Sequence, residues 1–164
     1  MPVIDGRDAV VHNILRLVRG ASILGVPALL TEQYVHGLGP TVEPVREAFR
    51  ETIGYHPVEK MCFSACGSAQ FMALLSALDR RQVLLAGAET HVCVHQTAID
   101  LLAQGFEVQV IADAVSSRSA VNKDIALRRL QSEGVRLSST EMALFELTGI
   151  SGTDEFRAIA RLVK

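Results

Sequence analysis

Cys93 is the residue whose type and position point most directly to chemistry. It lies in the run LLAGAETHVCVHQTAIDLLAQG, where a strand-like apolar segment is followed at once by a helix-like one. Cys93 is therefore predicted at or near the first turn of a helix, where free backbone N–H groups and the helix dipole stabilise a nucleophilic thiolate. The alternative is that Cys93 is a small buried apolar residue, as free cysteines often are.

Possible metal ligands surround Cys93, but their spacing does not favour a metal site. His91 and His95 share a helix face, whereas Cys93 points roughly 200° away from them. We interpret the two histidines as helix-face or pocket-lining residues. Cys62 and Cys66 form a CxxxC pair, which matches neither a CxxC redox site nor half of a zinc site, so both are interpreted as structural thiols. The sequence also has no GxGxxG or Walker loop, and we predict neither a metal nor a cofactor.

The elements that would position Cys93 alternate between helices and strands. Apolar residues recur at helical spacing over residues 8–25, with Asp8 placed to cap the helix and Gly25 to end it, and the apolar run 26–31 follows as a strand. Such helix–strand pairs recur three times. Helices are predicted over 68–78, 92–104 and 121–133, before the strands VLLAG, FEVQVIAD and VRLSS, with Gly105 and Gly134 at C-caps and final helices over 141–147 and 154–163. Continuously apolar strands between helices predict an α/β fold with a doubly wound, mainly parallel sheet in a single domain, 1–164.

Composition narrows the function classes. Of the 164 residues 49% are apolar and 21% charged, and the formal net charge of -2 is spread along the chain, so neither nucleic acid nor a membrane surface is an expected partner. The longest apolar run, 83–88, is far shorter than the roughly 18 residues of a membrane span. Three cysteines and no signal-like N-terminus predict a cytoplasmic protein.

In a doubly wound sheet, ligands bind beyond the carboxyl ends of the strands. The segments predicted there are 31–34, 88–93, 113–119 and 138–141. We therefore take as substrate-pocket candidates the residues Thr31, Glu32, Gln33, Tyr34 and Asp113.

Three motifs, in order, resemble one family. The stretch GAETHVCVHQTAIDLLAQGFEVQVIADAVSSRS resembles the signature of the isochorismatase-like cysteine hydrolases, and TEQYVHGLGPTV with EKMCFS resembles their subgroup with a TEQY…GLGPT loop. The resemblance implies a three-layer α/β/α fold, homo-oligomers and a Cys-Lys-Asp triad that hydrolyses amides, related C–N bonds or a vinyl ether. It implies Cys93 as nucleophile and Lys60 as the lysine, whose positive charge favours a thiolate and a tetrahedral oxyanion. It also implies a cis peptide between Ala88 and Glu89 and an oxyanion hole from the backbone N–H groups of Glu89 and Cys93.

The family's aspartate lies at the end of a first strand, in a motif similar to LLVIDMQE, and MPVIDGRDAVVHN resembles the region just after it. We therefore expect the N-terminal central strand and its Asp to be missing. Two explanations stay open: the start is assigned too late, by about 15–25 residues, or the neighbouring strands or a partner subunit close the gap. We interpret Asp5 as a turn residue. Asp113 is the best-placed surrogate base, although a capping or loop-fixing role is favoured for it, and His36 does not match the Asp-x-His metal motif of nicotinamidases.

Three functions follow as hypotheses. The first is a cysteine hydrolase that acts through Cys93 and whose activity is impaired if the Asp is absent. The second is a non-catalytic oligomerisation or interaction module that retains the fold. The third is a thiol redox sensor that uses Cys93, for which the sequence identifies no resolving cysteine. The substrate itself is not predicted, because one fold supports several chemistries.

Overall fold

The computed structural model describes residues 3–164. The helices in this range are α1 (Arg7–Ile23), α2 (Val35–Leu38), α3 (Glu43–Thr52), α4 (Ala69–Ala77), α5 (His95–Ala103), α6 (Ala120–Ser132), α7 (Thr140–Thr148) and α8 (Asp154–Val163). The strands are β1 (Thr31–Gln33), β2 (Val58–Lys60), β3 (Gln82–Ala88), β4 (Glu107–Ser116) and β5 (Arg136–Ser138). A 3-10 turn, Ala65–Gly67, precedes α4, and a π-helical turn, Thr90–Val94, precedes α5.

All of the strand pairs within residues 3–164 are parallel. β1 pairs with β2, which sets Gln33 opposite Lys60. β3, β4 and β5 form a second set in that order, with Val83 opposite Val108. Helices cover both faces, so the predicted α/β three-layer fold is confirmed.

The burial of the central strand β4 on both faces explains why its sequence is continuously apolar. Its consecutive residues Val110 and Ile111 are both fully buried. Successive side chains of a strand point to opposite faces, and Val110 packs in the cluster with Phe71, Leu101 and Leu130, whereas Ile111 packs beside α1. Burial on both faces removes the apolar–polar alternation that a one-sided strand would have.

Most predicted helices occur within about two residues of their expected bounds, and the one over 154–163 matches α8 in full. Gly105 and Gly134 have positive φ, 85° and 96°, where glycine ends a helix at least cost. The predicted capping by Asp8 is wrong, because Gly6, with φ 60°, occupies the N-cap and Asp8 lies exposed in the first turn.

The strand predicted over 26–31 is largely wrong. Ladder pairing begins only at Thr31, and residues 26–30 belong to no strand, although the Leu30 carbonyl accepts from the Val58 N–H at 2.8 Å. Three further elements, α2, α3 and β2, were not predicted. For α3 a signal exists, because Val45, Ala48 and Phe49 recur at helical spacing and are buried.

Within residues 3–164, β1, β2, β3 and β5 each have one edge without a strand partner. β1 pairs only with β2, and β3 pairs only with β4. On β3 the apolar side chains of Leu84 and Ala86 are exposed, although apolar edge strands are usually covered in folded proteins. That the family's N-terminal central strand is missing from this chain stays a prediction. In the same residues, no helix has both the length and the apolar character needed to cross a membrane.

Candidate active site

Gln33, Lys60 and Cys93 meet at the carboxyl ends of β1, β2 and β3. The Lys60 ammonium donates a 2.6 Å hydrogen bond to Oε1 of Gln33, and Sγ of Cys93 lies 3.9 Å from the same oxygen. Gln33 and Lys60 are brought side by side because they are partners in the parallel ladder. The structure therefore groups three of the residues that the sequence singled out.

Lys60 is a buried cation with uncharged partners. The residue is only 6% exposed, and Nζ donates to Oε1 of Gln33, to the carbonyl of Cys62 at 3.0 Å and to that of Phe63 at 2.7 Å. These bonds satisfy the three donors of an ammonium group. Since a buried charge is costly unless a compensating group is near, the arrangement favours an anion in the adjacent space, such as a thiolate or an oxyanion.

Cys93 lies in the π-helical turn Thr90–Val94 rather than in the first turn of α5. The carbonyl of Glu89 accepts hydrogen bonds from the backbone N–H groups of Val92 and Val94, each at 3.2 Å, and the turn continues directly into α5. The peptide bond between Ala88 and Glu89 is cis. Half-buried Cys93 thus lies in the N-terminal part of a continuous helical segment, where backbone dipoles favour negative charge.

Two contacts join the turn that carries Cys93 to the segment after β4. Oε2 of Glu89 accepts from the backbone N–H of Arg118 at 2.9 Å and from its Nε at 3.0 Å. Nδ1 of His91 lies 2.9 Å from Oγ of Ser117. Through these contacts, the side chains of Glu89 and His91 position the turn on either side of Thr90, which is fully buried.

His95 does not line the site. It lies on α5 beside Arg129 and Glu133, and burial, with the positive charge of Arg129, lowers the pKa of its imidazole despite the opposing effect of Glu133. Its helix-face interpretation holds, and the pocket-lining one does not. Across residues 3–164, no group of three or more His, Cys, Asp or Glu side chains is arranged to hold a metal ion.

Glu32 points away from Gln33, since adjacent strand residues face opposite sides. Its Oε1 accepts from the backbone N–H of Thr41 at 2.7 Å and from the hydroxyl of Tyr55 at 2.6 Å. Burial alone would raise the pKa of Glu32, but the hydrogen bonds from Tyr55 and Thr41, together with nearby Arg46, lower it overall. Glu32 therefore anchors the chain at Thr41 and is not brought to Cys93.

Tyr34 lies at the rim of the site, whereas Thr31 begins β1, two residues back from Gln33. The backbone N–H of Tyr34 donates to the carbonyl of Lys60 at 3.0 Å, and its φ is 43°, in the left-handed region. A non-glycine residue in such a conformation costs about 1–3 kcal/mol and persists where its surroundings impose it. Tyr34 is thus held next to Lys60 at a local energetic cost.

Asp113 and Asp5 occupy structural positions. β4 continues to Ser116, so the prediction that Asp113 ends the strand is wrong. Oδ1 of Asp113 instead accepts from the backbone N–H and hydroxyl of Thr140 at 2.8 and 2.9 Å, which fixes the start of α7 and agrees with its loop-fixing interpretation. Asp5 is a turn residue, as predicted, and its backbone bonds to Ser116 and Ser117.

Cys62 precedes the 3-10 turn and Cys66 lies within it, and neither is in a disulfide. The side chain of Cys62 packs closely on Gly67. A Cβ added to Gly67 would lie 2.9 Å from the Cβ of Cys62. Burial raises the pKa of the Cys66 thiol. Their contacts agree with the interpretation of both as structural thiols.

Comparison with known proteins identifies the family. Residues 3–142 match the isochorismatase domain. The chain belongs to this family. Isochorismatase domain-containing protein 2 of Bos taurus is 41% identical over 155 residues, which span 94% of this chain and 73% of that protein.

Solved structures agree with this assignment. The MAR1 ribonuclease from Caenorhabditis elegans has a TM-score of 0.89 and 34% identity, over 98% of this chain and 81% of that one. The YcaC gene product from Escherichia coli, described as an octameric hydrolase of unknown specificity, has a TM-score of 0.86 and 23% identity, over 97% of this chain and 78% of that one. The resemblance read from the motifs is therefore confirmed at the level of family and fold.

Proposed function

We propose that this isochorismatase-domain protein is a cysteine hydrolase that cleaves an amide or related C–N bond of a small molecule. The observation that carries the proposal is the grouping of Lys60, Gln33 and Cys93 around one oxygen atom. A buried ammonium beside a half-buried cysteine in the N-terminal part of a helical segment is an arrangement suited to a nucleophilic thiolate.

The reaction has two steps. The Cys93 thiolate attacks the carbonyl carbon, and the oxyanion is held by the backbone N–H groups of Glu89 and Cys93 near the charge of Lys60. The C–N bond then breaks, the amine leaves with a proton, and a thioester remains on Sγ. Water attacks the thioester, which releases the carboxylic acid and returns the thiol.

The thiol proton of Cys93 needs a base. The three hydrogen-bond partners of Lys60 in residues 3–164 are uncharged, so no carboxylate there completes a triad through Lys60. We propose that hydrolysis is impaired for as long as no carboxylate accepts this proton. The uncharged surroundings of Lys60 also favour the second candidate function, that of a non-catalytic module that retains the fold.

The remaining expectations belong to the same proposal. A homo-oligomer is supported by the octameric state of the related Escherichia coli structure. A cytoplasmic location is proposed from the composition of the chain. We also propose that the chain does not bind nucleic acid, because a net charge of -2 does not favour a polyanion. The Caenorhabditis elegans relative is nevertheless named a ribonuclease.

The test uses 4-nitrophenyl acetate and 4-nitroacetanilide with the full chain. We expect release of 4-nitrophenol or 4-nitroaniline, and an acetyl group on Cys93 in peptides from an acid-quenched reaction. Cys93→Ala should lower the rate by about 1,000-fold or more while the fold is kept, and Cys62→Ala serves as the matched cysteine control. An unchanged rate in Cys93→Ala overturns the proposal. A stable, folded protein with no turnover of either probe supports the non-catalytic module instead.

A further inference from the structure

We propose that an apolar collar, made of Tyr34, Leu38, Met61 and Phe63, binds an uncharged alkyl or aryl group of the substrate beside Cys93. The inference rests on the proposed function and narrows its substrate class. These four side chains lie on two short segments, 34–38 after β1 and 61–63 after β2.

The collar is exposed although it is apolar. Tyr34 is 48% exposed, Leu38 67%, Met61 70% and Phe63 53%. Single exposed apolar side chains are ordinary on a protein surface, whereas these four lie on two segments that hydrogen bonds bring together beside Cys93.

Backbone hydrogen bonds place the collar next to the candidate nucleophile. Tyr34 N–H donates to the Lys60 carbonyl at 3.0 Å, and the Phe63 carbonyl accepts from Lys60 Nζ at 2.7 Å. The Met61 carbonyl accepts from Nε2 of Gln33 at 2.8 Å. Leu38 N–H donates to the Tyr34 carbonyl at 2.9 Å, so all four collar residues are tied to the pair beside Cys93.

The aromatic part of the collar packs against the backbone of Gly37. The Tyr34 ring lies against Gly37, where an added Cβ would be 2.1 Å from a ring atom. Glycine at position 37 therefore leaves room for the ring where it lies. A pre-formed apolar wall with a few polar groups is typical of a small-molecule site.

Charge selects the kind of group that the collar takes. Segments 34–38 and 61–63 contain no Asp, Glu, Lys or Arg. The nearby carboxylate of Glu32 is directed to Tyr55, and the ammonium of Lys60 already has three acceptors. A charged substituent would lose water at the collar without gaining a partner, whereas an apolar one would gain from burial.

The experiment measures alkylation of Cys93 by N-methyl, N-propyl and N-hexyl chloroacetamide. The thiolate attacks the CH₂ carbon, an S–C bond forms, the C–Cl bond breaks and chloride leaves, so no turnover is needed. Peptide mass spectrometry follows Cys93 and Cys62 separately. We expect the rate constant at Cys93 to rise by about two- to fourfold per added methylene, with no such rise at Cys62.

The matched variants are Phe63→Ser and Met61→Ser, with Ile150→Ser as a control at an equally exposed apolar position after α7. The collar variants should lower the N-hexyl rate more than the N-methyl rate and so flatten the chain-length dependence, and the control should do neither. A flat wild-type series at a labelled Cys93 overturns the collar. A fall in the native molecular mass of Phe63→Ser, but not of Ile150→Ser, assigns the patch to contact between copies and also overturns it.

The two proposals fail in distinguishable ways. A flat series together with Cys93-dependent release of 4-nitrophenol overturns the collar alone. A chain-length preference without turnover supports the collar and overturns the hydrolase. If Cys93 is not labelled by any member of the series, both proposals are overturned, because the collar then does not adjoin a reachable nucleophile.

Discussion

Oε1 of Gln33 lies 2.6 Å from the Lys60 ammonium and 3.9 Å from Sγ of Cys93, so one amide oxygen joins the buried cation to the cysteine. The orientation of that amide is fixed by its other end, since Nε2 of Gln33 donates to the carbonyl of Met61 at 2.8 Å. Gln33 therefore keeps Lys60 close to Cys93 without neutralising its charge. A carboxylate at position 33 would have kept the geometry and cancelled the field.

Lys60→Met should slow alkylation of Cys93 by iodoacetamide at pH 7.5 by about tenfold, a change in free energy of about 1.4 kcal/mol. The reason is that the thiolate loses the one buried positive charge in contact with Gln33. Cys62 in the same sample is the internal control. Gln33→Glu, which keeps Lys60 but pairs it with a carboxylate, should slow Cys93 in the same direction. Unchanged Cys93 rates in both variants would contradict an electrostatic role for Lys60.

Arg118→Met should lower the reactivity of Cys93 by about two- to tenfold. Arg118 is joined to Glu89 at the start of the turn that carries Cys93, and its backbone bond to Glu89 survives the substitution, so the effect should be partial. Arg129→Met is the matched control, because its Nε also contacts a glutamate, Glu133 at 2.6 Å, on the surface of α6. Equal effects of the two substitutions would show that Arg118 does not position the turn.

The strand and helix around Cys93 were predicted from strong local signals, whereas Lys60 was predicted only because the motifs resemble those of the family. The apolar run before Cys93 and the helical pattern after it require a strand and a helix, and the parallel sheet brings Gln33 and Lys60 to the same edge. The position of Asp113 was predicted less well, because nothing in the apolar run of β4 shows that the strand continues to Ser116.

The region over 26–60 was predicted least well, for a physical reason. A strand forms only where a ladder partner exists, and the run 26–31 has regular pairing only from Thr31. The short strand β2 carries a single buried apolar residue, Val58, so its pattern is too weak to be recognised alone. The burial of Lys60 likewise depends on carbonyl groups of the following turn, which no local spacing specifies.

Glu32→Gln should destabilise the fold at pH 7, and the difference from wild type should shrink in acid. The pKa of Glu32 is lower in the folded protein than its ordinary value of 4.5. The carboxylate therefore contributes stability that is fully present above about pH 4.5 and is lost as the pH falls through the lowered value. Urea denaturation at pH 7, 5 and 3.5 measures the effect, with exposed Glu51→Gln as the control. A difference that stays constant across this range would contradict the assigned role of Glu32 as an anionic anchor.

His95→Gln should reduce the loss of stability of the wild-type protein below about pH 6.5. Burial and Arg129, with Glu133 opposing, lower the pKa of His95 from its ordinary 6.5, so the unfolded chain takes up a proton that the folded chain resists. The stability that neutral His95 permits is therefore present above pH 6.5 and is lost as the pH falls through the folded-state pKa. Urea midpoints at pH 7.5, 6.5, 5.5 and 5 give the comparison, and exposed His12→Gln on α1 is the matched control. Because Nε2 of His95 is buried without a hydrogen-bond partner in residues 3–164, no contact would compensate for its protonation. Parallel curves for wild type and His95→Gln would contradict this account.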